Sequence, residues 1–139
     1  MYRSQIKVKK VLIVEDDVTR IEEFRKALTN CELFVTADTA QATQWVHEHK
    51  FDIIFLDHDL GHTNTGARTA SVFLPSGKYT GYEVACQISE SHNKETKTIL
   101  HTWNPAGARN MQGKLAHAQY LPFGMLGFIQ ALAWTNAEK

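Results

Sequence analysis

A chain of 139 residues with 43% hydrophobic side chains is long enough for one domain with a hydrophobic core and too short for two. Fifteen basic and fifteen acidic residues give a formal net charge of zero, which argues against binding to a long stretch of nucleic-acid backbone. The apolar runs are too short for a signal peptide or a membrane span, so we expect a cytoplasmic protein without a membrane partner. We interpret a basic run near the start as a solvated lead-in to the first strand: Arg3, Lys7, Lys9 and Lys10.

Short apolar runs that predict buried strands alternate with segments of helical periodicity. The strands are predicted at residues 11–14, 33–36, 53–56, 98–100 and 120–121. Helices are predicted from Asp17 to Asn30, after Asp38 or Thr39, from Gly81 to Ser91, after Asn104 and from Met125 onward. Five βα units in this order predict an α/β fold, a single domain over residues 1–139. We expect a doubly wound, five-stranded parallel sheet in the order 2-1-3-4-5.

The segment between the third strand and the third helix is unusually long. It runs from His58 to about Thr80, is mainly polar and contains three glycines. Loops of this length within a compact domain are usually functional. The alternative is that the extra residues have no function and are tolerated, because lengthening a surface loop costs little free energy. We predict a lid over an anionic ligand, in which Arg68 or Lys78 binds phosphate.

Carboxylates are concentrated where two of the predicted strands end. Asp16 and Asp17 follow the first strand, and Asp57 and Asp59 follow the third, which would be its neighbour. Ligands of open parallel sheets bind beyond the carboxyl ends of the strands. Carboxylates held this close need protons or a cation, and their oxygens suit Mg²⁺ or Mn²⁺. We therefore predict a metal site from these four aspartates, with the alternative that Asp17 only caps the first helix.

Two histidines and a helix start are predicted at the same edge of the sheet. If side chains alternate to the ends of the strands, His58 and His101 share a side and could serve as base and acid near neutral pH. Thr102 could donate its hydroxyl group to a phosphate bound at this edge. Asn104 begins a helix whose first N–H groups, at about Gly107, favour a phosphate, unless this is only an ordinary capped helix.

These residues resemble the response-regulator receiver family over essentially the whole chain. Residues 11–17 are similar to its first strand and acidic pair, Asp57 to its phosphoacceptor aspartate and Thr102 to the Thr or Ser of its fourth strand. Gly81 resembles the glycine that opens the third helix, and Pro122-Phe123 resembles the pair that follows the fifth strand. The resemblance implies a flavodoxin-like receiver fold.

Three features depart from an ordinary receiver. The family has a lysine where this chain has Leu121, so the cation that holds the aspartyl phosphate is missing. The link from Asp57 to Gly81 spans 24 positions, which is longer than the usual loop. Residues 57–60 and 101–108 resemble instead the variant group called cyclic-phosphate processing receiver domains. That resemblance implies catalysis on cyclic phosphates.

Two functional hypotheses follow from these observations. The first is a metal-dependent phosphoesterase-like receiver acting on a small phosphorylated ligand, either a 2′,3′-cyclic RNA end or a cyclic nucleotide. Asp57, His58 and His101 would be its catalytic residues. The alternative is a stand-alone receiver or pseudo-receiver, with Asp57 as phosphoacceptor, that signals by binding a protein partner.

Overall fold

The computed structural model describes residues 8–60 and 80–137. Five parallel strands form one sheet in the order β2-β1-β3-β4-β5, which confirms the predicted topology. The strands are β1 (Lys9–Val14), β2 (Cys31–Thr36), β3 (Ile53–Leu56), β4 (Lys97–Leu100) and β5 (Gln119–Tyr120). The helices are α1 (Val18–Ala27), α2 (Thr39–Glu48), α3 (Gly81–Ser89), α4 (Pro105–Gln112) and α5 (Leu126–Asn136). No helix among these residues is long and apolar enough to cross a membrane.

The central strands carry unbroken apolar runs because helices cover both faces of the sheet. Every residue of β3 is fully buried. On one face, Val46 of α2, Ile88 of α3 and Met111 of α4 pack into a common core with alternate residues of the strands. On the other face, Phe24 of α1 and Phe128 of α5 belong to a second core. The two cores hold the strand ends in a fixed arrangement, which positions the site described below.

Polar side chains fix the starts of the helices. Asp38 caps α2, as predicted, by accepting a hydrogen bond from a backbone N–H of the first turn at 3.0 Å. Thr80 caps α3 in a reciprocal arrangement with Glu83. Gly81 then begins α3 at a point of very close approach, since a Cβ atom there would lie only 1.9 Å from the carbonyl oxygen of Asp57. The start of α3 can therefore pack against the end of β3 only because residue 81 is glycine.

The interpretation of Lys9 as part of a solvated lead-in was wrong. The strand begins at Lys9, two residues earlier than predicted, and the Lys9 side chain is buried. Its Nζ donates to the carbonyl oxygens of Trp134, Thr135 and Ala137, each at 3.1 Å. These carbonyls end α5, where a positive charge is favoured by the helix dipole. The lysine therefore joins the first strand to the last helix.

We expect Lys9→Met to lower the free energy of unfolding by about 2 kcal/mol, because the helix end loses a charged donor while the apolar stem remains. Thermal denaturation should then show a melting temperature roughly 5–10 °C lower. Lys10→Met is the matched control, since the Lys10 side chain is only partly buried and its Nζ lies 5.7 Å from the ring centroid of Phe34. Equal losses in the two variants would contradict the assigned role of Lys9.

Candidate active site

The register of the sheet places three ionisable side chains next to one another at the ends of the central strands. Val14 of β1 pairs with Leu56 of β3, and Leu56 pairs with Leu100 of β4. The next residues along these strands are Glu15, Asp57 and His101. All three are buried, and one potential ligand atom from each lies within 4.8 Å of the others. Glu15 was missing from the predicted site, although the strand register implies it.

His101 and Glu15 form a fully buried pair. Nε2 of His101 lies 2.7 Å from Oε1 of Glu15. Burial opposes ionisation of Glu15, but the hydrogen bond and charge of His101 outweigh it and lower the pKa of Glu15. The His101 ring packs edge-on against Phe24, and within the described part of the chain its Nδ1 has no hydrogen-bond partner. A ring enclosed in this way is not placed to exchange a proton with a ligand.

His58 lies on the opposite face of the sheet, so the prediction that the two histidines share a side was wrong. In the parallel register His101 is level with Asp57, whereas His58 is level with Thr102, one residue further on. Because side chains alternate along a strand, the two rings point to different faces. Nδ1 of His58 instead pairs with Oδ1 of Asp59 at 2.8 Å.

The start of α4 is capped by side chains of the site. Oδ1 of Asn104 accepts the N–H of Gly107 at 2.9 Å, and its Nδ2 donates to Asp59 at 3.3 Å. Gly107 passes so close to His58 that a Cβ atom would lie 2.4 Å from Cγ of that ring. Thr102 is fully buried, and its hydroxyl accepts the N–H of Asn104 at 3.0 Å. These contacts are those of a capped helix, and the binding of phosphate by Thr102, Asn104 and Gly107 stays a prediction.

A cation that was not predicted reaches the site from α1. Nη1 of Arg20 lies 3.8 Å from Oδ2 of Asp57 and 3.7 Å from Oε1 of Glu15. The guanidinium also lies over the ring of Phe123, with 5.1 Å between Cζ and the ring centroid. Leu121, which stands where receivers have lysine, packs against the start of α5. Arg20 therefore supplies a positive charge at this edge of the sheet, beside Glu15 and Asp57.

Asp57 is a buried acid of the site whose pKa is strongly shifted. Its side chain is 5% exposed, and Oδ1 accepts the backbone N–H of His58 at 2.8 Å. Burial raises the pKa of Asp57 to about 6, with Glu15 adding to the rise and the charges of His101 and Arg20 opposing it. Above that pH the protein holds a negative charge in a water-poor position, where a cation would be strongly favoured.

The side chains at this edge of the sheet surround a cleft with a volume of about 180 Å³. Its lining residues are Glu15, Asp16, Asp17, Arg20, Asp57, Asp59, Thr102 and Trp103. The structure thus brings together the four aspartates predicted to bind metal. Asp16 is buried beside the cleft, whereas the Asp59 side chain is 55% exposed. Asp17 accepts the backbone N–H of Arg20 at 3.0 Å, so its contacts are those of the helix cap considered as its alternative role.

The predicted lid runs from His58 to about Thr80, and residues 61–79 of it, with Arg68 and Lys78, lie outside the described residues. Within the described part, Asp59 and Thr80 pair in an antiparallel bridge beside the cleft. The lid and its two phosphate-binding residues stay predictions.

Comparison with known protein families identifies the chain. The family model described as "Cyclic-phosphate processing Receiver domain" matches residues 11–117. The chain belongs to this family. The match includes every described residue of the cleft and both strings, 57–60 and 101–108, that resembled the family in sequence. No curated protein sequence matches the chain significantly.

Solved structures of receiver domains share the fold of this cyclic-phosphate processing receiver. A CheY-like receiver domain from Methanospirillum hungatei JF-1 is 15% identical over 93% of this chain and 97% of that chain, with a TM-score of 0.65. The phosphorylated cyanobacterial phytochrome response regulator RcpA is 17% identical over 92% and 91%, with a TM-score of 0.67. The receiver domain of histidine kinase PA1611 from Pseudomonas aeruginosa PAO1, solved with a magnesium ion in its active-site cleft, is 21% identical over 94% and 100%, with a TM-score of 0.64. Identities this low establish the fold alone.

The raised pKa of Asp57 predicts how pH changes stability when divalent ions are removed with EDTA. Because the folded protein holds this proton more tightly than the unfolded chain, stability falls as the pH rises from the ordinary value of 3.8 to about 6. Asp57→Asn removes the buried charge, so it should stabilise the protein at about pH 7.5 by at most roughly 3 kcal/mol and by much less near pH 4.

Urea unfolding across this pH range measures the difference between variant and parent. Asp52→Asn is the control, because Asp52 is an exposed aspartate just before β3. A gain for Asp57→Asn that does not depend on pH, or a loss at about pH 7.5, would contradict the assigned burial of charge.

Proposed function

We propose that the protein is a metal-dependent phosphoesterase that hydrolyses a cyclic phosphate. The observation that carries this proposal is the cleft of the cyclic-phosphate processing receiver, where buried Glu15 and Asp57 face Arg20 beside further carboxylates. An acidic cleft with one arginine suits a phosphate only if additional positive charge enters it.

The donor set fits a hard divalent cation. Glu15 and Asp57 bring carboxylate oxygens together in a buried position, and Asp16 adds a third carboxylate to the lining. Oxygen donors of this kind suit Mg²⁺ or Mn²⁺. The magnesium ion in the cleft of the PA1611 receiver domain supports the same use of a receiver cleft here. A metal ion bound by these residues would neutralise charge on a phosphoryl oxygen and polarise it toward attack.

Arg20 would contact the phosphate directly. Its guanidinium already lies within 4 Å of both buried acids, at 3.7 and 3.8 Å, and it is held over Phe123. A planar guanidinium can donate two parallel hydrogen bonds to a phosphate. In this proposal Arg20 takes the place of the lysine that receivers have at the position of Leu121. The loop cations Arg68 and Lys78 would add to this charge.

Proton transfer would fall to Asp59, which His58 positions. The Asp59 carboxylate lines the cleft and is held by the His58 ring at 2.8 Å. In hydrolysis, the oxygen of water forms a bond to phosphorus, and one bond from phosphorus to a ring oxygen breaks. Asp59 would accept the proton of the attacking water and return a proton to the departing oxygen, while His58, which does not line the cleft, would position the Asp59 carboxylate. His101 would act through Glu15, as a positioning residue rather than as an acid or base.

The substrate panel that tests this proposal consists of nucleoside 2′,3′-cyclic and 3′,5′-cyclic phosphates with Mg²⁺ or Mn²⁺. Mass spectrometry should detect ring opening by the parent and its loss with EDTA. Asp59→Asn should lower kcat by about 10²- to 10⁴-fold because it removes the proton-transfer group, and His58→Gln should lower kcat by a smaller factor because Asp59 loses a partner that positions it. Asp52→Asn, the exposed control, should match the parent. An intact substrate panel, or unchanged kcat in both variants, would reject the proposal.

A signalling role is the second candidate. The likeness to phosphorylated RcpA extends over 92% of this chain, and Asp57 stands where receivers carry the phosphoacceptor. In that case a phosphoryl group would move from a phosphodonor to an oxygen of Asp57, as the bond between the donor and phosphorus breaks. The phosphorylated protein would then act by binding a protein partner. Acetyl phosphate offered in parallel separates the two candidates, since a stable phosphoryl adduct on Asp57 supports signalling and ring opening supports hydrolysis.

A further inference from the structure

Trp103 is a large apolar side chain left in contact with solvent beside a polar cleft. It is 53% exposed, although the two preceding residues, His101 and Thr102, are fully buried. Its side chain lines the same cleft as Arg20 and Asp57. An aromatic ring exposed at the border of a binding cleft offers apolar area that a ligand can cover.

The indole of Trp103 is oriented by the protein. Its Nε1–H donates to the carbonyl oxygen of Phe123 at 3.0 Å. The polar group of the ring is therefore already satisfied within the fold, and its exposed part is aromatic carbon. What the side chain offers a ligand is a stacking surface rather than a hydrogen bond.

The other half-exposed tryptophan differs from Trp103 in its surroundings. Trp134 is 50% exposed, but the Nζ atoms of Lys9 and Lys97 lie 4.5 and 4.7 Å from its ring centroid. No ring or ammonium group of the described residues is stacked on Trp103 in this way. Trp134 thus has a structural role at the end of α5, and Trp103 has an aromatic surface to offer.

The cleft is too small to enclose a whole nucleotide. Its volume of about 180 Å³ is below the 300–1,000 Å³ of pockets that bury a drug-sized ligand. Only the phosphate end of a larger ligand would enter among the carboxylates and Arg20. The rest of the ligand would lie along the border of the cleft, where Trp103 is exposed.

We propose that Trp103 is a stacking platform for the base of a nucleotide whose cyclic phosphate lies in the cleft. This inference rests on the proposed function and narrows its substrate class to nucleoside cyclic phosphates, free or at the end of an RNA. Stacking on an aromatic side chain tolerates any base, because every base has a π-face. The platform would distinguish nucleosides from other organic phosphates without selecting a sequence.

The test compares adenosine 2′,3′-cyclic phosphate with base-free glycerol 1,2-cyclic phosphate in the presence of Mg²⁺. Two measurements are made, kcat/KM and the quenching of tryptophan fluorescence on rapid mixing. Trp103→Ala should lower kcat/KM for the adenosine ligand by about 5- to 150-fold and abolish most of the quenching. Trp103→Phe should retain most of the preference, and the matched control Trp134→Phe should retain both signals.

The outcomes separate this inference from the function on which it rests. A parent that opens both rings with no preference for adenosine overturns the platform and leaves the phosphoesterase intact. Equal losses on both ligands in Trp103→Ala, without recovery in Trp103→Phe, also overturn the platform, since they indicate a structural role or a contact surface for another protein. A parent that neither binds nor opens either ligand overturns both proposals. Selective loss on the adenosine ligand supports the platform.

Discussion

The site depends on the burial of two carboxylates, Glu15 and Asp57, at neighbouring strand ends where little water can stabilise their charge. Positive groups of the protein stabilise the charges of the two carboxylates to different extents. Glu15 has His101 at 2.7 Å, which lowers its pKa, whereas Asp57 has Arg20 at 3.8 Å and a pKa raised to about 6. One acid is thus fixed as a structural anion and the other is left in need of a cation. That imbalance favours the binding of a cation beside Asp57.

Much of the fold could be predicted from the sequence because the apolar runs are short, unbroken and regularly spaced. Such runs identify parallel strands buried on both faces, and their ends identify the functional edge of the sheet. Asp57 was found in this way. The side of the sheet on which each histidine lies could not be predicted, because it depends on a register offset of a single residue between β3 and β4.

Glu15, Arg20 and Lys9 show a second limit of sequence reasoning. From the sequence, Glu15 and Arg20 had no assigned role, and Lys9 was placed in a solvated basic run. Each acquires its role through a partner distant in the sequence, such as His101 for Glu15. Charged residues are usually exposed, so a sequence gives no local signal when tertiary packing buries one and pairs it.

Incubation with a cyclic phosphate in water enriched in H₂¹⁸O is the sharpest test of whether the protein is a metal-dependent phosphoesterase. The parent protein would be incubated with Mg²⁺ and adenosine 2′,3′-cyclic phosphate, and the mass of the product would be measured by mass spectrometry. We expect a ring-opened monophosphate that carries one oxygen atom from the solvent and that forms only when the metal is present. An intact cyclic phosphate with metal present, together with a phosphoryl group on Asp57 after treatment with acetyl phosphate, would exclude hydrolysis and assign the protein to signalling.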